Sequence, residues 1–217
     1  MDRVVQFLKE YNANILGHLP VLLKKALTTA SALDIQYILC AHGVAWRGDA
    51  LSVVLGEYTR FAEKRYNKKV TIAYDSMYGS TAKVAIAIAE GVRSTGASCE
   101  VLDLKSSDIT KVALHMYDSA AFALGSPTLN SSMMPLVEGA INYCRGLKLL
   151  EGKPCVLFGA YGWASLAVAG LNEAMTKVKA SVLEKIDWKF QCNDGVLEKA
   201  FNAGVLLGQH AMGTAPQ

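Results

Sequence analysis

The sequence is poor in the residues that build disulfide frameworks and metal cages. Its five cysteines, Cys40, Cys99, Cys144, Cys155 and Cys192, are odd in number and form no C-x-x-C pair. That pattern argues against a stapled fold or a zinc site. It predicts buried free thiols in a reducing compartment, so a cytoplasmic location is expected. Charge is also sparse: Asp, Glu, Lys and Arg make up 19% of the chain, too few for a disordered one. The net charge of +3 is scattered, with no basic stripe carrying interleaved aromatics, so nucleic acid is not an expected partner. No apolar run is long enough for a membrane span, and Met1-Asp2-Arg3-Val4-Val5-Gln6 lacks the charged-then-apolar order of a signal peptide. Apolar side chains are plentiful, at 52%. A length of 217 residues then fits one large domain, or one domain with a substantial appendage.

From Lys69 onward, short apolar runs alternate with helical patterns. Strands are predicted over 69–74, 98–104, 119–124, 155–158 and near 188–192. Helices are predicted over 81–92, 108–115, 135–145, 166–179 and 195–209. Val84, Ile88 and Val92 recur at helical spacing, and Pro135 opens its helix where the missing N–H costs nothing. Strands that read as unbroken apolar runs, joined by crossover helices, imply a parallel sheet covered on both faces. Five such units suit a doubly wound open sheet, whose ligands bind beyond the carboxyl ends of the strands. Residues 1–66 differ: helices over 4–11, 19–27 and 51–66, one short strand over 35–40 and a loop over 41–47. They make a poor core on their own and read as part of something larger, with a boundary at the basic stretch 64–69.

Three loops on that sheet edge carry the chemistry. The first, Asp75-Ser76-Met77-Tyr78-Gly79-Ser80-Thr81, lies between a strand and a helix start. It offers hydroxyl donors at Ser76, Ser80 and Thr81, a glycine for close backbone approach, and the free N–H groups of a helix N-terminus. With no cation inside it, the loop suits a phosphate monoester and differs from the lysine-bearing loop of nucleotide hydrolases. Taken alone it reads equally well as an N-cap turn. The second runs Gly125-Ser126-Pro127-Thr128-Leu129-Asn130, and the third Gly159-Ala160-Tyr161-Gly162-Trp163-Ala164-Ser165. Tyr161 and Trp163 provide flat surfaces for an isoalloxazine ring, and Thr128 and Asn130 provide hydrogen bonds to its polar edge. Three loops in the order the fold requires favour a cofactor over plain connections.

These signatures resemble one family. S-x-x-G-S-T at 76–81, G-S-P-T at 125–128 and G-x-Y-G-W at 159–163 are similar to the flavodoxin-like domain of flavodiiron proteins, the FMN-and-diiron reductases of oxygen and nitric oxide. Tyr11 to Leu16 and Ala41 to Arg47 are similar to the closing portion of that family's metallo-β-lactamase-like domain. The resemblance implies an α/β fold: a flavodoxin-like five-stranded parallel sheet in order 2-1-3-4-5 over residues 69–210, with residues 1–66 the end of the preceding domain. It also implies FMN as cofactor. Ser76, Met77, Tyr78, Gly79, Ser80 and Thr81 would hold the phosphate. Pro127, Thr128, Leu129 and Asn130 would line the ribityl chain and ring, and Ala160, Tyr161, Gly162 and Trp163 would flank the ring. Ala164-Ser165-Leu166 stands where the family often has a glycine pair, which leaves the ring edge open.

The largest departure concerns metal. A diiron site needs several histidines and carboxylates, often as H-x-E-x-D, and His18, His42, His115 and His210 lie in no such pattern. Only His42 matches a family ligand, as a single remnant, so a diiron centre is not expected from this chain alone. His115 and His210 are expected to be solvated or capping. The leading expectation is an FMN electron carrier serving a metal centre elsewhere, with a rubredoxin-like or flavin-reductase donor, possible pairing with a diiron-bearing chain, and a homo-oligomeric state. Two others stand beside it: part of an oxygen or nitric oxide reductase completed by another chain, and a flavin-free interaction module. The second and third loops lack Asp and Glu, which predicts a raised second-electron potential.

Overall fold

The computed structural model describes residues 2–215. Helix α1 (Asp2–Tyr11) runs into a π-helical turn, Asn12–Leu16, and α2 (Pro20–Ala30) follows with proline in its first turn. Strands β1 (Tyr37–Ile38) and β2 (Trp46–Arg47) pair antiparallel ahead of α3 (Ala50–Ala62). The strand expected over 35–40 thus shrinks to two residues, and the stretch expected as a loop supplies its partner. The physical reason is the small amount of core available there. Only Leu8, Trp46 and Val54 are buried together, while Leu39 faces solvent. The helix expected to reach residue 66 ends at Ala62, and Lys64 takes a left-handed conformation (φ 53°) that turns the chain away.

The remaining elements are β3 (Asn67–Tyr74), α4 (Ser80–Ser94), β4 (Ser98–Asp103), α5 (Ile109–Asp118), β5 (Ser119–Gly125), α6 (Pro135–Gly146), β6 (Pro154–Tyr161), α7 (Leu166–Lys177), β7 (Ser181–Lys189) and α8 (Asp194–Met212). All five of these strands pair in parallel, in the order β4-β3-β5-β6-β7, which is the expected 2-1-3-4-5. Alternation along the central strands makes two cores. Val70, Ile72, Ala121, Ala123, Val156 and Phe158 face α4 and α8. Ala73, Phe122, Leu124, Cys155 and Leu157 face α5, α6 and α7.

One strand was misplaced by the sequence reading. β7 ends at Lys189, where a strand near 188–192 was expected. As the outer strand it is half solvated, so Glu184, Lys185 and Asp187 interrupt its apolar pattern. Helices α4 and α8 meet with almost no side chain between them. A Cβ on Gly204 would lie 2.1 Å from the Ile88 carbonyl oxygen, and one on Gly91 would lie 2.0 Å from that of Phe201. The N-terminal elements pack on α5 and α6. Ala13 and Phe61 join the second core, the Asn14 amide donates to the Thr110 carbonyl (3.1 Å), and Tyr143 donates to Asn14 Oδ1 (2.8 Å).

Candidate functional site

The chain leaves β3 toward α4 on one side and β5 toward α6 on the other, so a crevice opens beyond their carboxyl ends where the strand order reverses. The three loops close around it and form a cleft of about 660 Å³, the size of a small-cofactor site. Ser76, Met77, Tyr78, Ser80 and Thr81 line it from the first loop, Pro127 to Asn130 from the second, and Ala160 to Trp163 from the third. Gly79 is the one expected residue that does not line it. It sits behind the cleft as the N-cap of α4, at φ 83°, a conformation that a side chain would strain.

The start of α4 is the feature that calls for a ligand. Only α5 and α8 carry a side-chain cap, from Asp108 and Asn193; α4, like α2, α3, α6 and α7, has none, and its start opens into the cleft. Its first N–H groups, from Ser80 to Ala82, therefore lack intrahelical partners, and they lie where the helix dipole is positive. The hydroxyls around them are held in place. Ser76 Oγ accepts from the Gly79 N–H (3.1 Å). Ser80 Oγ accepts from the Trp188 indole (2.9 Å) and the Cys192 N–H (3.0 Å), which leaves its own proton to donate. Thr81 lines the cleft, and its hydroxyl makes no hydrogen bond among the described residues. Several fixed donors around a space with no internal acceptor match the oxygens of a phosphate monoester.

The other end of the cleft is flat and apolar. Thr128 ties the second loop to the third: its N–H donates to the Ala160 carbonyl (2.8 Å), and its hydroxyl accepts from the Ala167 N–H at the start of α7 (3.1 Å). Leu129 and Ser132 exchange two backbone hydrogen bonds of 2.9 Å across Asn130 and Ser131, both left-handed, which makes a tight hairpin turn. Trp163 is 96% exposed and Tyr78 85% exposed at the rim. Large aromatics left this bare mark a surface built to be covered.

Residues outside the expected set also shape the cleft, Ser131, Ala164 and Leu166 among them. Ser126 is buried, and its hydroxyl accepts from the Met134 N–H (2.8 Å), which fixes the second loop's return into α6. Phe190 and Gln191, beyond β7, form a fourth wall; the left-handed turn at Phe190 (φ 62°) bends the chain over the cleft. The signal for these two was available, because their loop leaves the same sheet edge. Lys105, from the loop after β4, reaches the phosphate loop. Its ammonium donates to the Ser76 carbonyl and lies 3.4 Å from the buried Asp75 carboxylate. No local pattern announces that contact. No Asp, Glu, Lys, Arg or His lines the cleft itself.

The histidines behave differently from one another. His42 is exposed on the β1–β2 loop, its ring 6.1 Å from that of Tyr11. Among the described residues, no three His, Cys, Asp or Glu are grouped to hold a metal ion. His115 corrects an expectation. It is half-buried in the last turn of α5, and Lys69 Nζ lies 2.7 Å from its Nδ1. Burial first, and the Lys69 charge second, hold the imidazole below its ordinary range. His210, expected in a solvated tail, lies in the last turn of α8, half-buried.

Comparison with known proteins decides the family. A model of the flavodoxin family matches residues 72–204, more than half of the chain. The chain belongs to the flavodoxin family. Its likeness extends beyond that domain. A crystal structure of the flavodiiron protein from Giardia intestinalis is 46% identical and superposes with a TM-score of 0.92, covering 99% of this chain and 55% of that one. The rubredoxin-oxygen oxidoreductase of Megalodesulfovibrio gigas is 33% identical over 78% of this chain and 42% of its own length. The nitric oxide reductase of Moorella thermoacetica is 34% identical over 82% of this chain and 44% of its own. The flavodoxin domain and the segment before it therefore match flavodiiron proteins, and the chain spans about half the length of the curated relatives it matches. Among the described residues, no helix is long and apolar enough to cross a membrane.

Proposed function

We propose that this flavodoxin-family chain binds FMN in the cleft and delivers electrons to a metal centre that its own residues do not build. The observation that carries the reading is the uncapped start of α4 opening into an uncharged, aromatic-rimmed cleft. Bound there, FMN would supply one- and two-electron redox chemistry. The chain's own part is to bind, orient and shield. Thr81, Ser80, Ser76 and the first N–H groups of α4 hold the phosphate. Met77, Tyr78 and Gly79 shape the turn around it. Lys105 offsets the Asp75 carboxylate beside the loop, so that buried charge does not repel the phosphate. Pro127, Thr128, Leu129 and Asn130 line the ribityl chain and ring, and Ala160, Tyr161, Gly162 and Trp163 flank the ring and exclude water.

Residues 1–66 are, in this reading, the end of a metallo-β-lactamase-like domain, with His42 a single remaining ligand. One relative's name, rubredoxin-oxygen oxidoreductase, supports a rubredoxin-like donor; a flavin-reductase donor, a homo-oligomeric assembly and a cytoplasmic setting belong to this reading as what the family resemblance implies. A second reading is favoured by the same names together with the half-length match. In it the chain is part of an oxygen or nitric oxide reductase whose diiron centre comes from another chain or from further residues.

One sample tests both. The visible spectrum of the purified protein is recorded alongside an iron assay. Flavin bands without iron support the electron carrier, and flavin with stoichiometric iron supports the completed reductase. A colourless protein that cannot be reconstituted with FMN would overturn both and leave a flavin-free module.

A further inference from the structure

A second cavity lies at the opposite end of the molecule, on the seam between the N-terminal helices and the flavodoxin domain. It is small, about 30 Å³, room for one or two water-sized groups. Its charge is one-sided. Arg60, Lys64, Arg65, Lys148 and Lys153 line it, and no carboxylate does. Arg60 is neutralised by Asp118 (2.9 Å) and Glu57 (3.0 Å), and Arg65 by Glu63 (2.7 Å). The three lysines have no carboxylate within 4.0 Å among the described residues.

Lys153 is the unusual member, being only 3% exposed. Its ammonium donates to the Met116 carbonyl and lies 4.0 Å from the centre of the Tyr66 ring, which leaves hydrogen-bonding capacity unused. Tyr117 also lines the cavity, with its buried hydroxyl beside the Asn12 amide. The start of α2 at Pro20 borders the same space without a side-chain cap or an acidic residue in its first turn. Buried positive charge without a partner is costly.

We infer that this cavity binds a small inorganic anion of about chloride size, held between Lys64, Lys148 and Lys153 across the seam. The N-terminal helices supply Lys64 and the flavodoxin domain supplies Lys148 and Lys153, so the anion ties one to the other. Burial lowers the Lys153 amine to about 7, with desolvation the leading cause and the Cys144, Asp118, Lys64 and Arg60 charges acting on it as well. An anion beside it favours the charged form.

The test is thermal unfolding of the full chain at constant ionic strength, with sodium gluconate replaced stepwise by sodium chloride. Gluconate is too bulky to enter. The expected result is a saturable rise in Tm, about 2–4 °C when chloride reaches roughly five times its Kd. The rise should disappear in a Lys64→Gln/Lys148→Gln variant, whose altered side chains are both exposed and whose fold is therefore kept. Chlorine NMR line broadening in the wild type, absent in the variant, reads occupancy without reference to stability. A Tm that is the same in gluconate and chloride, or a rise that persists in the variant, would overturn the inference.

Discussion

Thr81 shows how a single residue reports on the cleft. Thr81 lines the cleft, and its hydroxyl, with no hydrogen bond among the described residues, is free for a ligand there. The account assigns that place to a phosphate oxygen. Thr81→Val keeps shape and burial while deleting the donor, so FMN affinity should fall about 10- to 100-fold, the worth of one hydrogen bond to a charged group. Riboflavin affinity should not change, and fluorescence titration with both ligands checks this. Lys153 makes a separate claim at the same scale. Burial lowers its amine to about 7 from an ordinary 10.5. Between those values the unfolded chain binds a proton that the folded chain does not, so stability rises as pH rises from about 7. Above pH 9 the buried thiols of Cys144 and Cys155, pushed up to about 12, act in the opposite sense, because only the unfolded chain releases their protons. In chloride-free buffer between pH 7 and 9, urea unfolding should show this rise, with a slope of at most about 1.4 kcal/mol per pH unit. Lys153→Met should flatten it.

Among the elements, the pairing of α4 with α8 is the most sensitive. The Gly204 Cβ position is occupied by a backbone oxygen, which cannot move aside as a flexible side chain would. Gly204→Ala should therefore lower stability by about 1–3 kcal/mol through overpacking, read as a lower urea midpoint with an unchanged m-value. The elements also show what a sequence carries and what it does not. β3, β5 and β6 are legible because both faces are buried, so their runs are continuously apolar. β7 was displaced because an outer strand mixes charge into its pattern, and β2 was missed because a two-residue strand leaves no periodicity to read. The three cleft loops were legible from local chemistry: hydroxyls, a glycine at positive φ and aromatic residues, all at strand ends. Lys105 was not, since its place beside Asp75 depends on how β4 aligns with β3. The burial of His115 depends in the same way on Lys69 of the neighbouring strand.

For the molecule as a whole, the two ends have opposite electrical character. The cleft end is uncharged along its lining, and the seam at the other end gathers lysines. Among the described residues no carboxylate lines the cleft, so none there would oppose the anionic reduced form of a bound flavin. The second-electron potential of the FMN-loaded chain should therefore lie above that of flavodoxins with acidic ring surroundings, and a reductive titration in two steps would show it. The N-terminal segment also presents bare apolar residues, Val21 and Leu22 on α2 and Leu39 after β1, consistent with a segment that packs on more protein than these residues provide. The account stands or falls on the phosphate cradle at α4. The most direct measurement is parallel equilibrium titration of the flavin-free chain with FMN and with riboflavin, which differ only in the phosphate. The account predicts one FMN per chain, bound at least about 100-fold more tightly than riboflavin, the worth of two or more charge-assisted hydrogen bonds. Equal affinity for the two, or no binding of either, would contradict it.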